Sequence, residues 1–180
     1  MEWICILSIK RRGIIMARAM DVADMIITEA NDINHPVSNL QLQKIMYFLN
    51  VIHLLNTHTP LIDDARFEKW DYGPVIHSVY SEYSGHGAND IENPEQHTTL
   101  TRDARGQFNV ISNRFNPNDL TDDERQFIRG NLGLFINFDP FTLVDESHLE
   151  PQWQDRRTNL YDDQRTINFY SDIGNQFWER

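Results

Sequence analysis

The twenty residues from Ser38 to Thr57 leave this chain few ways to fold. Ser38 followed three residues later by Gln41 is a capping box, a hydroxyl and an amide placed to satisfy the free backbone donors of a helix start. Leu42, Ile45, Met46, Leu49, Ile52 and His53 then fall on one side at 3.6-residue spacing, while Leu40, Tyr47, Val51, Leu54 and Leu55 cover much of the other. A helix that is apolar nearly all round must be buried in its own domain. Gln43, Asn50 and Thr57 form the only polar stripe, so a buried Asn50 needs a hydrogen-bond partner. His53 is read as a core histidine that donates to a backbone carbonyl. The rest of the chain has to supply cover on every side of this helix. With 180 residues, 40% of them hydrophobic, it has enough length and apolar surface to do so in one domain. The predicted fold is mainly α: a single compact helical domain built around a buried central helix, with a small β-hairpin.

The covering elements follow in order. Met20 to Ile33 reads as a first helix with Val22, Ala23, Ile26, Ile27 and Ala30 on its stripe. His35-Pro36 breaks it. Phe67 to Trp70 reads as a short extended segment. Gly73 and Pro74 are assigned as N-cap and first residue of a third helix, since proline's missing donor costs nothing there. That helix carries Ile76, Val79, Tyr80 and Tyr83 and ends at Ser84 to Gly87. Residues 88–97 read as loop. Thr98 to Arg102 and Gln107 to Ile111 form the hairpin, with Gly106 supplying positive φ. Thr121 and Glu124 make a second capping box, opening a helix that Gly130 and Gly133 should kink or end early. Asp139-Pro140 starts a short helix that runs to His148. Asp162 or Asp163 caps a last one carrying Ile167, Phe169, Tyr170, Ile173 and Phe177.

Residues 1–15 stand apart. Trp3 to Leu7 is apolar but precedes Lys10, Arg11 and Arg12, the reverse of a secretory signal. Arg11-Arg12-Gly13 ahead of Met16 is compatible with a translated ribosome-binding site, so 1–15 is taken as a non-native or disordered extension and 16–180 as the domain. The formal charge is -11, becoming -13 once the extension's net +2 is set aside. Such an acidic balance disfavours a general nucleic-acid surface and suits a basic protein partner. No apolar run reaches membrane-spanning length. The lone Cys5 permits no internal disulfide, which fits a reducing cytoplasm.

Chemistry is sparse. The seven histidines show no ligand spacing, so neither metal nor cofactor is expected. No Gly-rich phosphate loop or nucleophile elbow occurs, and no enzymatic activity is assigned. Asp63-Asp64 and Asp162-Asp163 read as turn and cap rather than paired acid-base groups. The alternative function is a helix-turn-helix DNA-binding regulator, which would offer Asn39, Gln41, Gln43 and Lys44 to base edges. Trp70, Tyr72, Tyr80 and Tyr83 cluster around Gly73-Pro74, and tyrosine and tryptophan are the residues most enriched at binding hot spots.

Four blocks in order resemble the Panacea domain family, which includes SocA-like antitoxins and phage-associated GepA-like proteins. Asn39 to Phe48 is similar to its leucine-glutamine-lysine-tyrosine signature. Phe67 to Val75 resembles its tryptophan and tyrosine-glycine-proline-valine segment, Leu120 to Glu124 its late helix start, and Ser147 to Trp153 its closing histidine-leucine-glutamate, proline, tryptophan block. The pattern departs at Asn50 and at Ile52-His53, which keeps the histidine but not the family's tryptophan. The resemblance implies a cytoplasmic antitoxin, prophage- or mobile-element-encoded. It would bind a cognate toxin encoded nearby, in some members as an adaptor to a cellular protease. The candidate partner-binding residues are Lys44, Tyr47, Trp70, Tyr72, Gly73, Pro74 and Tyr80.

Overall fold

A computed structural model describes residues 17–103 and 105–180. The expected extension at 1–15 and the choice of Met16 as start lie outside the described residues. The chain is mainly helical, as expected, with three separate two-stranded antiparallel sheets among the described residues.

Helix α1 (Ala19–Asp32) buries Val22, Ala23, Met25, Ile26, Ile27 and Ala30, and its first turn is held by Asp64, whose Oδ1 accepts from the Ala19 amide at 2.8 Å. Strand β1 (Val37–Ser38) leads directly into helix α2 (Asn39–Thr57). Ser38 caps α2 by accepting from the Gln41 amide at 3.3 Å, but the Gln41 side chain does not reach back. It donates instead to the carbonyls of Ile136 and Phe138, at 3.0 and 3.2 Å. Half of the expected capping box is therefore exchanged for a long-range tie. Nearly every side chain from Asn39 to Leu54 is buried. Phe48 stacks on Phe135 and meets the edge of Phe177, while Tyr47 packs edge-on to Phe67. Each large apolar side chain so enclosed contributes roughly 1.5–3 kcal/mol. Asn50 finds the partner it needs, its Oδ1 accepting from the Leu61 amide at 2.9 Å. His53 is half-buried rather than in the core, and its Nδ1 lies 2.8 Å from the Thr59 carbonyl, the expected backbone bond.

Strands β2 (Glu68–Trp70) and β3 (Gly73–Val75) form a tight hairpin around Asp71-Tyr72, with Trp70 opposite Gly73. This corrects the assignment of Gly73 and Pro74 as a helix start. Helix α3 (His77–Tyr83) begins three residues after Pro74, with Ile76 at its N-cap. The positive φ of Gly73, 84°, serves the return of the hairpin. Residues 88–97 are not all loop, because strand β4 (Asp90–Ile91) pairs with β1. Two residues are too few to show alternation.

Strands β5 (His97–Arg102) and β6 (Phe108–Asn113) make the expected hairpin, with Gly106 at φ 82°. Its base is fastened by His97, which bridges Asp24 at 2.5 Å and Glu82 at 3.2 Å. Helix α4 (Asp122–Leu132) has both halves of its capping box and stops early, at Gly133. Thr121→Ala is expected to cost about 1 kcal/mol, the usual loss for an N-cap, read from the midpoint of urea unfolding. Helices α5 (Pro140–His148) and α6 (Pro151–Gln154) follow. Helix α7 (Asp163–Tyr170) is capped by Asp162 and ends before Ile173 and Phe177, which the sequence pattern had included. Asp172 accepts from the Gly174 amide at 2.9 Å and turns the chain into two short 3-10 segments, leaving Ile173 exposed and Phe177 buried.

Candidate partner-binding groove

The side chains of α2 complete the hydrogen bonding of distant backbone. Gln43 Oε1 accepts from the Ile76 amide at 2.9 Å, and Lys44 Nζ donates to the Pro74 carbonyl at 2.7 Å. Asn39 Nδ2 donates to the Tyr80 carbonyl at 3.0 Å. The flank of β3 and the start of α3 are thus held by α2 side chains. On the far side of the β2–β3 hairpin, Trp153 Nε1 donates to the Trp70 carbonyl at 3.0 Å. Trp153 also stacks on His148, ring centroids 3.5 Å apart. Ser147 lies beneath Gly73, where an added Cβ would stand 2.4 Å from its Oγ.

Glu150 is buried and accepts from Tyr47 Oη, Gln152 Nε2 and Thr166 Oγ1, the last at 2.9 Å. Burial raises its pKa, against the effect of those three donors. The same burial, with Glu150 adjacent, drives the Tyr47 phenol well above its ordinary range. Burial pushes the Lys44 ammonium down to about 7. The His148 imidazole is lowered by burial first and then by Lys44. Three of the four sequence blocks therefore form one polar lattice inside the protein.

This placement divides the candidate residues. Lys44, Tyr47, Gly73 and Pro74 lie inside, out of reach of a partner's surface; their polar atoms serve the lattice. Lys44 and Tyr47 sit in the stretch of α2 from Leu42 to Ile52 in which every side chain is buried. Trp70 is half-buried, whereas Tyr72 and Tyr80 are 60% and 39% exposed. Those three line an open groove of about 870 Å³ between the β2–β3 turn, α3 and the start of α5. Trp70 and Tyr80 meet with centroids 4.9 Å apart, and across the groove Tyr72 faces Phe141 at 6.2 Å. Phe141, 58% exposed, was absent from the candidates. The sequence signal for it was the Asp139-Pro140 cap, which puts the next side chain on the open first turn of α5. Asp71 and Asp139 add carboxylates to the lining.

The side chains that a helix-turn-helix reading needs at base edges, Asn39, Gln41, Gln43 and Lys44, are bound to internal groups. Among the described residues no three histidine, cysteine or acidic side chains lie close enough to hold a metal ion. No helix among them is long and apolar enough to cross a membrane. Asp162 caps α7 as expected, whereas Asp64, read as part of a turn, reaches across to the Ala19 amide of α1.

A family profile described as "Antitoxin SocA-like, Panacea domain" matches residues 42–154. The antitoxin SocA of Caulobacter vibrioides (strain NA1000 / CB15N) is 37% identical over 75 residues, which cover 42% of this chain and 39% of that protein. The aligned part is thus less than half of the relative's length. No solved structure matches. The matched segment begins within α2, contains the lattice that ties Lys44, Pro74 and Trp153 together, and ends at Gln154. The chain belongs to the SocA-like antitoxin family that carries the Panacea domain.

Proposed function

We propose that this chain is the antitoxin of a toxin–antitoxin pair and neutralises a basic toxin, encoded beside it, by stoichiometric binding in the groove of Trp70, Tyr72, Tyr80 and Phe141. The observation that carries this reading is the contrast between the family's sequence blocks, which are spent on an internal lattice, and the exposed aromatic groove set directly on that lattice. A rigid floor lowers the entropy lost on binding, and half-exposed tyrosine and tryptophan have the apolar bodies and polar tips that anchor interfaces. The net charge of -11 gives a basic toxin a faster encounter at low salt.

Tyr72 makes the cleanest test, because among the described residues its exposed ring has only Phe141 as a ring neighbour. Tyr72→Ala is expected to unfold at the wild-type urea midpoint yet bind the toxin about tenfold or more weakly. In co-expression, toxicity should return. Raising salt should lower the association rate far more than it raises the dissociation rate. Full neutralisation by folded Tyr72→Ala and Trp70→Ala would sink the groove as the toxin site.

A further inference from the structure

The groove pairs aromatic rings with negative charge and, among the described residues, offers no accessible cation of its own. Among the described residues Lys69 is its only positively charged lining residue, and its ammonium is turned away. It is 3% exposed and donates to the Asp155 carbonyl and to Thr158 Oγ1, at 3.0 and 3.2 Å. Asp139 spends Oδ1 on the Phe141 amide, at 2.9 Å. Asp71 differs: it is exposed at the hairpin tip between Trp70 and Tyr72, and its carboxylate has no hydrogen-bond or ion-pair partner among the described residues. Elsewhere the protein covers its rings with its own guanidinium groups, Arg102 lying 5.5 Å from the Phe108 centroid and Arg156 5.1 Å from that of Trp153. No such cation sits over Trp70, Tyr72, Tyr80 or Phe141 among the described residues.

We propose that this groove is a receptor for an arginine side chain of the bound protein, the guanidinium lying against the Trp70 and Tyr72 rings and donating to Asp71. The assignment rests on the groove being the partner surface. Guanidinium is favoured over ammonium because it is planar, stacks on aromatic faces, is weakly hydrated and pairs with a carboxylate through two parallel donors. A neutral apolar anchor would fill the same volume but leave Asp71 facing it without compensation. A phosphorylated or acidic segment would meet Asp71 and Asp139 as like charges.

The test titrates the full chain with N-acetyl-arginine methylamide, its lysine analogue, and its neutral isostere N-acetyl-citrulline methylamide. Binding is read at the Trp70 indole N–H resonance, assigned by its loss in Trp70→Phe. Arginine should give a saturating shift, with citrulline about five- to tenfold weaker and lysine intermediate. Asp71→Asn should bring arginine down to the citrulline level and leave citrulline unchanged. Citrulline equal to arginine, or arginine unaffected by Asp71→Asn, overturns the inference; lysine binding as tightly as arginine overturns the guanidinium assignment.

The same variants separate this inference from the antitoxin reading. If Tyr72→Ala releases the toxin while Asp71→Asn neither weakens toxin binding nor alters arginine binding, the groove stands and the arginine site falls. If arginine binds as described while Tyr72→Ala still neutralises, the site stands and the toxin assignment of the groove falls.

Discussion

Gly73→Ala is expected to cost about 3 kcal/mol of stability, enough to shift the urea midpoint of the whole protein. Two terms add. A side chain at φ 84° is strained by roughly 1–2 kcal/mol. The new Cβ would also stand 2.4 Å from Ser147 Oγ and 3.2 Å from Lys44 Nζ. Lysine ends are flexible, but Ser147 is fully buried and donates to the Val144 carbonyl at 2.7 Å, so it cannot simply swing aside. Relief of that overlap makes the outcome checkable. Gly73→Ala combined with Ser147→Ala should be less destabilised than the sum of the two single variants by about 1 kcal/mol. Strict additivity would assign the whole cost to the backbone and refute the contact.

Lys44 gives the second large effect, in the pH dependence of folding. Its folded pKa is pushed down to about 7 by burial, against 10.5 for the free side chain. Below about 7 folded and unfolded chains both carry the ammonium, and the burial penalty is fully present. Between that pH and 10.5 the unfolded chain binds a proton that the folded chain does not. Stability therefore rises with pH through this window, by up to about 1.4 kcal/mol per pH unit. Lys44→Met removes the titration. Between pH 6.5 and 9, wild type should gain about 2.5 kcal/mol more than the variant in urea unfolding. Comparing the two cancels the opposite trend from Tyr47, Tyr83, Tyr161 and Tyr170, whose raised pKa values lower stability as pH climbs past 10. Parallel pH profiles would show that Lys44 keeps its proton in the folded state.

What the sequence revealed and what it concealed divide along the range of the interaction. The helix starts at Ser38, Thr121, Asp139 and Asp162 were legible because a capping oxygen and the backbone amide that donates to it lie within three residues. The hairpin of β5 and β6 was legible from its β-prone runs and Gly106. Gly73-Pro74 was misread because a helix start and a tight hairpin return use the same two residue types, and the deciding partners, Gln43 and Lys44, lie about 30 positions upstream. Lys44 and Tyr47 read as contact residues in the sequence for a related reason. Nothing local announces that a lysine is matched to the Pro74 carbonyl or a tyrosine to Glu150. Trp70, Tyr72 and Tyr80 could be found from aromatic density, whereas Phe141 needed the fold to bring α5 beside the β2–β3 turn.

The long reach of the α2 ties also sets an order of events during synthesis. The helix is complete by Thr57, but the acceptors of Gln41 lie 95 and 97 positions further on and the carboxylate that receives the Tyr47 proton donor lies 103 positions on. At ordinary translation rates of roughly 5–20 residues per second, about 5–20 s pass before those partners leave the ribosome. For that interval Gln41 and Tyr47 of the most apolar helix among the described residues lack their partners, and the cover of that helix is incomplete. A chain cut short before Glu150 would remain in that state, bearing the family's signature without the lattice that gives it a surface.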